Sequence, residues 1–225
     1  MTGMRTLLRT LLVTLFAVGT LAILSACSGG SPGPAPAPVP TTATYVADMQ
    51  TEGKKMSIGI SVDGDHVTAY ACNGVDDEAW FFGDQSGGRV DVTSKFRDTL
   101  TATVDGSDVS GTVVMNGVSY AFTANEVKSP AGVYTVAVDG VRSSWIVRPD
   151  GSVTGVQFAG GVTGRDFEQA ELQQLNAAQF QAQVRNKRVL QQADQSVSLR
   201  NGTLVSKVNG RTVTARTVTG STRFG

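Results

Sequence analysis

The sequence predicts a mainly β chain, an antiparallel up-and-down meander forming a small barrel or sandwich over residues 45–161, with a C-terminal helix and short hairpin over residues 162–225. Three observations carry this. Met56, Ile58, Ile60 and Val62 alternate with Ser57, Gly59 and Ser61, the period of a strand with one apolar face. Turn signals recur about every 8–12 residues, the spacing of an all-β domain. Asn-Gly and Asp-Gly pairs sit between the alternating runs, where a two-residue hairpin needs them.

The first 26 residues read as a targeting segment and are set apart from the fold. Arg5 and Arg9 make a positive start, and Leu11–Leu24 is an apolar run of 14 residues. A membrane-spanning helix needs about 20. Leu24-Ser25-Ala26-Cys27 follows and resembles the lipobox of bacterial lipoproteins: an aliphatic residue, two small ones and an obligatory Cys. The resemblance implies cleavage before Cys27 and a diacylglyceryl group on its thiol. Residues 27–44 hold five of the seven prolines, Pro32, Pro34, Pro36, Pro38 and Pro40. Such a stretch builds no core and is expected to be an extended tether, reaching roughly 50 Å at about 3.1 Å per residue.

Within the body, Gly64-Asp65 fits a type II′ turn with Gly first, which pairs Val62 with Val67, Ile60 with Ala69 and Ile58 with Ala71. Asn116-Gly117 fits a type I′ turn, pairing Met115 with Val118 and Val113 with Tyr120. Asp139-Gly140 repeats that device and sets Tyr134 opposite Trp145, and Pro149-Asp150-Gly151 closes the next turn. Val62-Asp63-Gly64, Val104-Asp105-Gly106 and Val138-Asp139-Gly140 form a weak repetition, which reused turn chemistry explains. About ten short strands in roughly 120 residues favour a closed barrel or a sandwich.

Residues 166–195 contain neither Gly nor Pro and are rich in helix formers. One helix is expected there, capped by Asp166 and docked on the β-domain through Leu172, Leu175 and Phe180. Asn201-Gly202 and Asn209-Gly210 then punctuate two Thr-rich runs, Thr203–Val208 and Arg211–Val218, read as a small hairpin and the more mobile part. Charge supports the docking. Residues 27–164 carry 15 acidic and 8 basic side chains, net −7, and residues 165–225 carry 4 and 9, net +5.

Catalytic patterns are sparse. With one His there is no His-based metal cluster. His66 and Cys72 lie six residues apart on one strand, roughly 20 Å at about 3.3 Å per residue, too far for a dyad. No Gly-x-Ser-x-Gly elbow or Gly-rich phosphate loop occurs. Asp76-Asp77-Glu78 with Asp63 or Asp65 offers oxygen ligands for Ca²⁺, set against a plain solvated loop. Trp80-Phe81-Phe82 and Trp145 are read as core aromatics or, alternatively, as a pocket lining. Once Cys27 is lipidated, Cys72 is the remaining thiol, so no intramolecular disulfide is expected. Nothing basic adjoins Cys72 in sequence, so a buried, inert thiol is expected.

Ala69-Tyr70-Ala71-Cys72-Asn73-Gly74, Trp80, Ala131-Gly132-Val133-Tyr134 and Trp145-Ile146-Val147-Arg148-Pro149-Asp150-Gly151 together resemble an actinobacterial (mycobacterial-type) exported lipoprotein family with no characterised activity. The resemblance covers residues 45–161 and the anchor, not the tail, and departs at Asn73, where the family has Asp. It implies a mycobacterial-type envelope and no residue roles. The expected function is a non-enzymatic binding or structural module on the extracytoplasmic face of the cell membrane. The alternative is a carrier of a lipid or other apolar molecule inside the barrel, and an enzyme acting on the cell wall is a third reading. The expected partners are the membrane, through the lipid on Cys27, and an envelope protein or apolar ligand. Neither a cofactor, a metal nor nucleic acid is expected.

Overall fold

Hairpin chemistry sets the strand pairing. The structure, a computed structural model, describes residues 40–200 and 202–224. The expected targeting segment, Cys27 and the expected tether as far as residue 39 lie outside them. Eight antiparallel strands close into a barrel: β1 (Thr42–Thr51), β2 (Lys54–Asp63), β3 (His66–Cys72), β4 (Glu78–Ser86), β5 (Arg89–Thr93), β6 (Thr99–Asp105), β7 (Asp108–Met115) and β8 (Val118–Glu126). The expected registers hold: Ile60 faces Ala69, Val113 faces Tyr120, and Tyr134 faces Trp145. At the β2–β3 turn Gly64 alone takes a positive φ, 60°, as type II′ requires. At β7–β8, Asn116 and Gly117 take φ of 50° and 73°, as type I′ requires. The three Val-Asp-Gly triplets do not share a geometry. Gly64 and Gly106 open their turns, whereas Asp139 opens the third with φ 50°.

The strand period fills the barrel. Side chains of one parity point inward, and Tyr45, Ile58, Ile60, Phe81, Leu100, Val113 and Phe122 join one buried cluster. Small residues on β3, Ala69 and Ala71, make room for Phe81 and Leu100. Closure comes from β1 meeting β8 at Tyr45–Glu126 and Val46–Asn125. Strand β1 therefore takes in the last residues of the expected tether, Thr42–Thr44, which pair with Ser61–Asp63.

The division at residue 161 is corrected by the sheet order. Strands β9 (Gly132–Val138), β10 (Val141–Val147) and β11 (Val153–Phe158) leave the barrel. They form a second, seven-stranded sheet with β12 (Leu190–Gln192), β13 (Ser198–Arg200), β14 (Thr203–Val208) and β15 (Arg211–Thr217), in the order β12-β11-β10-β9-β15-β14-β13. The terminal hairpin is thus built into the fold: β15 pairs with β9 through Arg216–Thr135 and Thr217–Tyr134. Its concave face buries Tyr134, Trp145, Val147, Leu204, Val208 and Ala215. The Trp145 indole N–H donates to the Asp194 carbonyl at 2.9 Å, tying in the segment between the edge strands β12 and β13.

The second sheet docks on the outer wall of the barrel. Tyr70, Cys72 and Trp80 pack there against Val133, Ile146 and Val156, each large apolar side chain contributing roughly 1.5–3 kcal/mol by burial. Gly59 faces outward on β2, and a Cβ there would collide with the Val133 side chain. This explains why both faces of β2 are buried although its sequence alternates. Ser57 is satisfied by Asp48 and Arg148, and Ser61 donates to the Val218 carbonyl at 3.0 Å. The interface also encloses an ion pair, Arg142 Nη2 donating to Glu78 Oε1 at 2.6 Å.

The single helix over 166–195 is corrected as well. Two short helices form, α1 (Gly164–Leu172) and α2 (Ala177–Gln183). Asp166 does not cap by itself. It sits at the third helical position and accepts from the Thr163 N–H and hydroxyl, completing a capping box. Asn176 caps α2 in the same way with Gln179, and Gln174, at φ 50°, breaks the helix between them. Leu175 and Phe180 are buried with Phe96 and Phe167, whereas Leu172, 84 % exposed, makes no part of the docking face. Among the described residues no helix is long and apolar enough to cross a membrane.

Candidate functional site

At one end of the barrel the β1–β2 and β7–β8 turns, the β3–β4 loop and the chain after α2 surround an open cleft of about 700 Å³. Its apolar floor includes Met56, Met115 and Val118, and its polar walls carry Lys54, Lys55, Tyr120, Arg185 and Arg188. A second depression of about 540 Å³ adjoins it, sharing Lys55, Met56 and Asn73.

One wall is a self-braced loop. Asn73 Oδ1 accepts the N–H groups of Val75, Asp76 and Asp77, each at 2.9 Å. The Asn73 amide donates in turn to Asp76 Oδ1 at 2.8 Å. Aspartate here would keep the acceptor and lose that donor.

The opposite wall is fixed by ion pairs between tail and barrel. Arg185 is 3 % exposed. It donates through Nη2 to Asp77 at 2.8 Å and through Nε to Asp98 at 3.2 Å. Arg188 donates through Nη2 to Asp77 at 2.9 Å, through Nη1 to the Glu78 carbonyl and through Nε to the Arg185 carbonyl. Burial pushes the Asp98 carboxyl up, against the pull of Arg185. Burial and then the neighbouring Arg185 charge hold the Arg188 guanidinium below its ordinary value, with Asp77 opposing. Two cations are therefore crowded around one shared carboxylate. Tyr120 is nearly enclosed among the floor side chains, and burial, followed by Asp77, raises its phenol.

The structure scatters the candidates that sequence reasoning raised. Asp63 and Asp65 lie at the β2–β3 turn, at the far end of β3 from Asp76-Asp77-Glu78. Asp63 accepts from Ser221 and Glu78 is buried against Arg142, so these carboxylates do not converge. Among the described residues no three metal-type side chains come together. His66 pairs with Asp84 at 2.7 Å, at the opposite end of β3 from Cys72. Cys72 is buried, and burial pushes its thiol up to about 12. Phe81 belongs to the barrel core, Trp80 to the interface and Trp145 to the second sheet, so they line no common pocket.

Of the residues that build the cleft, sequence reasoning points to Asn73, Asp76 and Asp77, and to the last two only as candidate Ca²⁺ ligands. Arg185-x-x-Arg188 was visible only as part of a basic tail facing an acidic body, and that contrast did indicate the docking. Comparison with family models, curated proteins and solved structures returned no match. The class that can be stated is an eight-stranded antiparallel barrel with a curved sheet docked on its wall and a cleft at its mouth.

Proposed function

We propose that this protein is a lipid-anchored, extracytoplasmic binding module of a cell envelope, without catalytic activity, and that it takes its ligand in the cleft at the barrel mouth. The observation that carries the reading is the filled barrel. A carrier of apolar molecules needs an empty interior, and here Tyr45, Ile58, Ile60, Phe81 and Leu100 occupy that space. Binding therefore falls to the surface, where the largest depression described is the 700 Å³ cleft. The anchor rests on Arg5, Arg9, the apolar run and Leu24-Ser25-Ala26-Cys27.

The test is amide chemical-shift mapping of the ¹⁵N-labelled chain 28–225, which contains all the described residues, against a detergent-solubilised envelope extract. Shifts confined to residues 53–56, 73–77, 115–120 and 185–190 are expected. Shifts centred on Ile58, Phe81 and Leu100 would favour the carrier, and turnover of an added wall component would restore the enzyme.

A further inference from the structure

We infer that the ligand of the barrel-mouth cleft is an organic anion carrying a short apolar chain, its charge held by Lys54, Lys55 and Arg185 and its chain laid over Met56, Met115 and Val118. This rests on the reading of the cleft as the binding site.

The first argument is hydrogen-bonding capacity. Several acceptors in the cleft are already engaged. Asn73 Oδ1 carries three backbone N–H groups. Asp77 carries Arg185 and Arg188, Asp76 holds the Asn73 amide, and Asn186 Oδ1 accepts from Gln181. Two donors remain free. Among the described residues Lys54 and Lys55 have no carboxylate within ion-pair distance. Arg185 spends Nε and Nη2 on Asp98 and Asp77. Tyr120 also lines the cleft. Two lysine ammonium groups without a carboxylate partner favour an anion or a multiple acceptor.

The second argument is charge. The lining carries four cations, Lys54, Lys55, Arg185 and Arg188, against two carboxylates, Asp76 and Asp77. Asp98, behind Arg185, brings that excess of two down to one.

The third argument is the floor. Met56 and Met115, both buried, close the barrel end, and Val118 and Leu190 extend the apolar surface. Val75, 56 % exposed, lines the cleft, and Val189, 53 % exposed, lies between the lining residues Arg188 and Leu190. A pocket of about 300–1,000 Å³ suits a small organic molecule, and 700 Å³ falls in that range.

The test titrates the ¹⁵N-labelled chain 28–225 with hexyl phosphate, inorganic phosphate, hexanol and hexyltrimethylammonium, all below micelle concentrations. Hexyl phosphate is expected to shift the amides of Lys54, Lys55, Asn73 and Tyr120 and to bind at least about tenfold more tightly than the other three. Lys54→Ala combined with Lys55→Ala, both on the exposed rim, is expected to lower its affinity about tenfold. Tyr120→Phe is expected to lower it several-fold with no change in the unfolding midpoint. Equal binding of inorganic phosphate would overturn the apolar chain. Equal or tighter binding of hexanol or hexyltrimethylammonium at the same amides would overturn the anion and leave the cleft reading standing. Unchanged affinity in the double lysine variant would overturn the assignment of the charge. No shift at the cleft with any of the four would overturn the inference and the cleft reading together.

Discussion

Arg185, from the tail, and Asp77, from the β3–β4 loop, meet at the barrel mouth with Nη2 and Oδ1 2.8 Å apart, across 108 residues of sequence. The arginine also holds Asp98, which is 3 % exposed. Removing one member of such a set leaves the others charged and dry, at a cost of about 3–5 kcal/mol. Arg185→Ala is therefore expected to lower stability by that amount in urea unfolding with the slope unchanged. A loss under about 1 kcal/mol would mean that the contact is an ordinary surface ion pair.

Gly59 is the place where the second sheet comes nearest to the barrel wall. Gly59→Val would drive side-chain atoms into Val133 and is expected to cost at least about 1–3 kcal/mol. Amide exchange should accelerate at Val133, Ile146 and Val156 more than at Leu100 and Val113 inside the barrel. An unchanged melting point would show that the sheets do not depend on this fit.

The helices give a paired comparison. Leu172 is exposed, so Leu172→Ser is expected to stay within about 0.5 kcal/mol of the parent. Phe180 is buried beneath Arg97, whose guanidinium lies 3.9 Å from the ring centre, and Phe180→Ala is expected to cost about 3–5 kcal/mol. Equal effects in thermal unfolding would reverse the assigned faces.

Much of the fold was legible because two-residue turns declare their own register. Gly64-Asp65, Asn116-Gly117, Asp139-Gly140 and Asn209-Gly210 each placed a pair of strands correctly. What they do not declare is which hairpin lies beside which. Thr135, Ser143 and Ser144 look like solvent-facing residues of a meander, yet they are buried in the second sheet and bonded to one another or to Gln157. The break in the helix was written in Asn176 and Gln179, a capping pair hidden inside a run of helix formers. The cleft as a whole was not legible. Its ion pairs join residues about a hundred positions apart, and the free donors Lys54 and Lys55 acquire meaning only once the barrel mouth exists.

Cys72 supplies a pH prediction. Its thiol is pushed up from its ordinary value near 9 to about 12, chiefly by burial. Between those values the unfolded chain has lost the proton that the native chain keeps, so stability falls as pH rises through that window. Cys72→Ala is expected to flatten that part of the decline in urea unfolding between pH 9 and pH 12. In the native protein at neutral pH, the thiol is expected to react with a disulfide reagent only as fast as the chain unfolds. Rapid labelling of the folded protein would contradict both.

The proposed binding module would be held at a membrane by lipid on Cys27. Intact mass spectrometry of the protein extracted from membranes of a cell with the lipoprotein pathway tests it most directly, alongside Cys27→Ala. The expected chain begins at Cys27 and carries the added mass of the lipid, while the alanine variant carries none and is released from the membrane. A membrane-bound chain that still begins near residue 1 and has no lipid on Cys27 would contradict it.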